Sequence, residues 1–230
     1  MKRIGVLGGM SWESSLEYER VMNVAVRERL GTTHSADLIV RSYDFAEIEA
    51  LQESGGWGAL ADRLSDDARV LQVAGAELII IATNTMHVVA PQVQAAIDIP
   101  LLHIADATSS AVRAARLDTV GLLGTRYTME LPFYRERLTD SGIAVIVPDE
   151  PDRSHIHDII YRELVRGIVS PESRAECLRI IASLRTRGAQ GIVGGCTEIE
   201  LLVRDGDTDL PFFPTARLHA LAAVEAALAE

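Results

Sequence analysis

Short apolar runs alternate along the chain with longer stretches in which apolar residues recur at three- and four-residue intervals. Runs bounded by glycine and proline read as buried strands, and the stretches between them read as helices. The pattern predicts strands near residues 3–7, 38–42, 78–82, 101–104, 119–123, 144–147, 191–194 and 211–213. It predicts helices near residues 14–29, 58–74, 86–96, 107–116, 129–141, 156–167, 171–187 and 216–228. The strands are continuously apolar, as required when helices cover both faces of a parallel sheet. Strand–helix alternation of this kind predicts an α/β fold built from βαβ units.

The pattern also repeats. Gly75-Ala76-Glu77-Leu78-Ile79-Ile80-Ile81-Ala82-Thr83-Asn84-Thr85 overlays without a gap on Gly188-Ala189-Gln190-Gly191-Ile192-Val193-Gly194-Gly195-Cys196-Thr197-Glu198. Ile4-Gly5-Val6-Leu7-Gly8-Gly9 matches Val120-Gly121-Leu122-Leu123-Gly124-Thr125, and Ile99-Pro100-Leu101-Leu102 matches Leu210-Pro211-Phe212-Phe213. Three matches in one order point to a duplicated half. The expectation is two pseudosymmetric domains, each an open, mostly parallel four-stranded sheet flanked by helices. Ligands of such sheets sit outside the carboxyl ends of the strands. The turns there collect Met10-Ser11, Thr83-Asn84-Thr85, Thr125-Arg126-Tyr127-Thr128 and Cys196-Thr197-Glu198, so a cleft between the halves is the expected active site.

Composition narrows the chemistry. The 230 residues are 48% hydrophobic, enough for a substantial core, and no stretch approaches the roughly 18–20 apolar residues of a membrane span. The amino terminus carries no signal-peptide pattern, which points to a cytoplasmic protein. A net charge of -11 disfavours nucleic acid as a partner and requires local attraction of any acidic substrate. Lys2 is the only lysine, at the entry to the first strand, so a pyridoxal-phosphate Schiff base has no suitable residue. Cys177 and Cys196 do not make a disulfide framework; Cys177 sits in a helical pattern and reads as packing. Neither a dinucleotide fingerprint nor a P-loop lysine occurs. Asp205-Gly206-Asp207-Thr208-Asp209 starts like a calcium loop, but Ala216 stands where the bidentate glutamate belongs, so it reads as a solvated turn. No metal or other cofactor is expected.

Cys196 is the strongest chemical candidate. It follows two glycines, which let backbone approach a ligand, and precedes an apolar helical run whose amino end favours thiolate. Thr83 occupies the matching position in the other repeat. An alcohol is too weak an acid to act as an equivalent base, but its hydroxyl can bond substrate or relay a proton through water. Asn84 and Thr85 suit the orientation of a carboxylate and an amino group; helix capping is the competing role for Asn84. His87 either reaches the same site or braces the turn. Trp12 and Trp57 read as packing residues or lid anchors.

At these motifs the chain resembles the aspartate/glutamate racemase family. The resemblance spans nearly the whole length and rests on Ile4-Gly5-Val6-Leu7-Gly8-Gly9-Met10-Ser11-Trp12-Glu13-Ser14, Thr83-Asn84-Thr85-Met86-His87, Leu123-Gly124-Thr125-Arg126-Tyr127-Thr128-Met129 and Gly194-Gly195-Cys196-Thr197-Glu198. It implies cofactor-independent racemisation of an acidic amino acid by two pseudosymmetric domains, usually in a homodimer. Typical members carry a cysteine in each turn, one for each face of Cα. Thr83 replaces the first, a pattern similar to the branch specific for L-aspartate and L-glutamate. The implied roles are Cys196 and Thr83 in catalysis, with Met10, Gln52, Asn84, Thr85, Thr125, Thr197 and Glu198 around the substrate. Gln52 is placed in a polar loop before Gly55-Gly56. Arg41, Arg126 or Arg166 is left to hold the side-chain carboxylate, since the family's lysine is absent. The resemblance also implies a first domain of residues 1–100 plus 208–230 and a second of residues 101–207. Two other readings fit the same residues: a malonate-type decarboxylase or related isomerase on this fold, and a non-catalytic amino-acid-binding relic.

Overall fold

The computed structural model describes residues 1–230 except 32, 204, 205 and 230. The chain divides into two compact units, Met1–Ile104 with His219–Glu230, and Ala105–Leu218.

In the first unit β1 (Ile4–Gly8), α1 (Trp12–Leu30), β2 (Leu38–Ser42), α2 (Phe45–Glu53), α3 (Trp57–Val73), β3 (Leu78–Ile81), a 3-10 turn (Thr85–Val89), α4 (Ala90–Ala95) and β4 (Leu101–Leu102) follow in order. The four strands form one parallel sheet ordered β2-β1-β3-β4. Its central strands are buried on both faces, which explains their unbroken apolar sequence. α1 begins where Ser11 accepts a hydrogen bond from the Ser14 N–H at 3.3 Å, with Glu13 in the first turn. It ends with Arg27 and Arg29 in the last turn and Gly31 beyond them.

The second unit repeats this order. It holds α5 (Ile104–Ala114), β5 (Thr119–Gly124), α6 (Arg126–Glu130), α7 (Pro132–Asp140), β6 (Ala144–Ile146), α8 (Asp152–Arg162), a 3-10 turn (Leu164–Arg166), α9 (Pro171–Thr186), β7 (Gly191–Gly195), α10 (Ile199–Leu202), β8 (Phe212–Pro214) and α11 (Thr215–Leu228). The boundary residue Ile104 of α5 and the stretch of α11 from His219 count with the first unit. The sheet is parallel, ordered β6-β5-β7-β8, the same topology as the first.

The duplication is visible at atomic level. Gly5 on β1 lies opposite Ile79 on β3, and a Cβ there would sit 2.5 Å from Ile79 Cδ1 and 3.3 Å from Leu71 Cβ of α3. Gly121 on β5 lies opposite Ile192 on β7, and its Cβ would sit 2.9 Å from Ile192 Cδ1 and 3.0 Å from Leu184 Cδ1 of α9. In each repeat the absent side chain lets the helix that precedes the neighbouring strand pack closely on the sheet.

Several expectations need correction. β4 pairs within the first sheet and β8 within the second, so the units divide after Ile104 and Leu218 rather than at 100 and 207. Strand pairing causes this, each proline-led strand closing its own sheet. The helix expected over residues 129–141 is two helices, because Leu131 precedes Pro132 and takes an extended conformation. The helix expected from residue 86 starts as the 3-10 turn and becomes α-helical only at Ala90, with proline in its first turn. Gln52 lies in helix α2 and not in a loop. Asp44 caps that helix, accepting from the Ala46 N–H at 3.1 Å, and buries Ile48 and Gln52 one turn apart.

Trp12, expected as packing or a lid anchor, is 61% exposed, whereas Trp57 packs against the core of the first unit. Cys177 is fully buried on α9, where burial pushes its thiol up to about 12. Asp205 of the calcium-like stretch lies outside the described residues; Asp207 and Asp209 pair with Arg174 and Arg185. Among the described residues no helix is long and apolar enough to cross a membrane.

Candidate active site

In the first unit the candidate residues converge on the carboxyl ends of β1 and β3. Thr83 is partly exposed just past β3, its N–H bonded to the Ile81 carbonyl at 2.8 Å. Asn84 and Thr85 are buried at the start of the 3-10 turn. The Asn84 side chain makes no capping bond to that turn, which removes the competing capping role. Met10 is buried in the apolar cluster beside Leu7, Tyr43 and Ile48. Gln52 reaches the same neighbourhood from α2, its Nε2 lying 3.2 Å from Met86 Sδ.

Sequence reasoning left His87 between two roles, and its partners decide for bracing. Its Nδ1 lies 2.8 Å from the Thr83 carbonyl oxygen, and its Nε2 lies 3.2 Å from the Ile104 N–H. The first contact requires a protonated Nδ1 and the second a bare Nε2, so the ring is the neutral Nδ1–H tautomer. Burial, then the neighbouring His103 and His219, hold it well below the usual imidazole range. The His103 and His219 rings stand 4.5 Å and 5.6 Å away, and His219 bonds Tyr18 Oη and the Leu102 carbonyl at 2.9 Å each. The spacing of His103 and His219 along the chain gave no hint of this cluster. Only folding brings them together.

In the second unit β5 and β7 run side by side, with Gly124 opposite Gly195, so Thr125 and Cys196 leave adjacent strand ends. A Cβ at Gly195 would lie 3.0 Å from the Leu123 carbonyl oxygen. Glycine is therefore what allows β7 to run tight against β5 up to the cysteine. Thr125 is buried and caps α6, accepting from the Thr128 N–H at 3.3 Å. Cys196 and Thr197 are partly buried, and Glu198 is 8% exposed.

The thiol of Cys196 lies 3.0 Å from Glu198 Oε2. That contact corrects the expectation of a thiolate favoured by a helix end. Burial, then the Glu198 carboxylate charge and hydrogen bond, push the thiol well above the ordinary cysteine range. α10 is a single turn (Ile199–Leu202), too short to offset a carboxylate in contact with the sulfur.

Of the three arginines considered for an acidic substrate, Arg41 pairs with Asp67 at 3.2 Å and stacks 4.6 Å from the Tyr43 ring centroid. Arg126 is exposed at the start of α6, one residue beyond Thr125, with its guanidinium 3.2 Å from Tyr127 Oη. Arg166 is exposed at the end of the 3-10 turn that follows α8.

The fold is two like-folded parallel units, with a thiol on the turn after one central strand and a hydroxyl on the matching turn of the other, and the relatives of the chain are racemase-type isomerases. The family model for Asp/Glu/hydantoin racemases matches residues 7–223, and the chain belongs to that family. It is similar to a crystal structure of a candidate Asp/Glu racemase from Yersinia pestis, with 51% identity, a TM-score of 0.94 and 100% of both chains covered. It is also similar to an aspartate racemase homologue from Pyrococcus horikoshii OT3, at 33% identity and TM-score 0.86 over 99% of each chain. The broad specificity amino-acid racemase RacX of Bacillus subtilis (strain 168) is 24% identical over 167 residues, 71% of this chain and 70% of RacX.

Proposed function

We propose that the chain racemises L-aspartate, L-glutamate or both without a cofactor, with Cys196 as the principal acid/base at Cα and Thr83 serving the opposite face. The observation that carries this reading is the equivalence of the two turns. The strand pairing that leads into Cys196 is the pairing that leads into Thr83, so one thiol and one hydroxyl occupy matching positions in a family of racemases.

The chemistry follows from those two groups. Proton removal at Cα leaves a carbanion that needs donors aimed at the substrate carboxylate, where charge develops. Thr197 and the backbone amides near Cys196, with Asn84 and Thr85, supply groups of that kind. A thiolate held against Cα contributes proximity. Thr83 cannot take a proton unaided, so return on its face passes through water and is slow. One-sided action is the consequence.

Proton NMR in deuterated water on a panel of L- and D-amino acids tests this directly. Deuterium should enter Cα of L-aspartate or L-glutamate faster than D-product accumulates, with D-substrates poor. Exchange that persists in Cys196→Ala, or its absence from every amino acid with the wild type, would overturn the reading. Carbon dioxide release from substituted malonates would replace it with a decarboxylase.

A further inference from the structure

We propose that Glu198 holds the thiol proton of Cys196 in the free protein and yields its carboxylate to the ammonium group of a bound α-amino acid, so that the thiolate forms only with substrate present. This deepens the assignment of Cys196 as the Cα acid/base and rests on it. Glu198 acts on the sulfur and, directly, on the substrate's nitrogen.

The geometry is specific. Sγ and Oε2 are 3.0 Å apart, a hydrogen-bond distance for sulfur, and both side chains leave the turn that leads into α10. The backbone fixes that turn, with the Ile199 N–H bonded to the Cys196 carbonyl at 3.1 Å and the Leu201 N–H to that of Glu198 at 3.0 Å. Glu198 as a residue is more than nine-tenths buried, so its charge is screened less than a surface carboxylate's. Glu200 on α10 has the same sign, and Arg174 on α9 bonds the Leu202 carbonyl at 3.0 Å and pairs with Asp207.

A carboxylate in contact with a thiol opposes its ionisation; an ammonium group between the two removes that opposition and supplies donors to both anions. As substrate enters, the S–H bond breaks and its proton passes to solvent water. The thiolate then takes the Cα proton, forming a new S–H bond, and the electron pair spreads into the substrate carboxylate. Between turnovers the sulfur is a thiol, far less open to oxidation and alkylation than a thiolate.

The test uses the full chain in two measurements. In the first, iodoacetamide labelling of the Cys196 peptide is followed by mass spectrometry across pH 6–11, without amino acid. The wild-type midpoint should lie above the roughly 8.5 of a free thiol, and Glu198→Gln should lower it by about one pH unit or more. An unmoved midpoint in a folded Glu198→Gln protein overturns the proposal. The second needs no variant. Calorimetry in buffers of different ionisation enthalpy should show about one proton released when wild type binds L-glutamate or L-aspartate near pH 7.5, and none with glutarate or succinate, which lack the amino group. Equal release with and without the amino group, or none with either, overturns the ammonium step. A shifted midpoint in a protein that exchanges no Cα proton would remove the racemase reading and leave the thiol–carboxylate coupling. Intact exchange with an unmoved midpoint would do the reverse.

Discussion

His87 donates its Nδ1 hydrogen to the Thr83 carbonyl at 2.8 Å and accepts the Ile104 N–H at Nε2. One buried imidazole therefore ties the turn after β3 to the chain that leaves β4. Only the neutral ring can make both bonds at once, because a protonated Nε2 has no lone pair for Ile104, whereas the Nδ1–H bond to Thr83 survives protonation.

Acid should weaken the fold through this residue. The folded-state value of His87 is depressed below its unfolded value near 6.5, so the unfolded chain binds the extra proton as pH falls through that point. The stabilisation is full above about pH 6.5 and is lost below it, by at most about 1.4 kcal/mol per pH unit for one group. Urea midpoints measured from pH 8 to pH 5 should fall on the acid side. A His87→Gln variant should show a flatter profile; an equally steep one would assign the sensitivity elsewhere.

At neutral pH the same substitution should cost about 1–3 kcal/mol, the usual penalty for a buried donor or acceptor left without its partner. Equilibrium unfolding of His87→Gln at pH 8, where protonation plays no part, isolates this term.

Cys196→Ala should reduce Cα exchange of the L-substrate by about 10²–10⁴-fold, the range associated with one positioned acid/base group. Cys177→Ala should leave exchange within about twofold, since its thiol is buried on α9. Rates from NMR peak decay in deuterated water give both comparisons.

Thr83→Cys should place a thiol on the weak face and speed exchange of the D-enantiomer by about 10-fold or more. The quantity to measure is the ratio of D- to L-exchange rates in one buffer. If that ratio equals the wild-type ratio, Thr83 does not serve the second face.

Gly5→Ala should destabilise more than Gly121→Ala, each within about 1–3 kcal/mol for overpacking. At Gly5 the new methyl meets Ile79 Cδ1 at 2.5 Å and Ala76 Cβ at 3.0 Å, and an alanine methyl has no rotamer through which to retreat. At Gly121 the closest atoms are Ile192 Cδ1 at 2.9 Å and Leu184 Cδ1 at 3.0 Å, both ends of flexible side chains. Guanidinium unfolding of the two variants ranks them.

The strands, the repeat and the candidate turns are legible in the sequence because each depends on local order along the chain. β1 and β3 announce themselves as apolar runs, and Gly75–Thr85 matches Gly188–Glu198 residue for residue. α2 carries local signals too, in the Asp44-x-x-Glu47 start and the apolar spacing of Phe45, Ile48 and Leu51, although the Gly55-Gly56 pair just beyond it has the composition of a loop. Tertiary structure alone decided which sheet β4 and β8 join, since pairing depends on neighbours distant in sequence. It alone gathered His87, His103 and His219, and buried the local contact between Glu198 and the Cys196 sulfur. Sequence order supplies the groups, but burial and a contact of about 3 Å set their protonation, and neither exists until the chain packs.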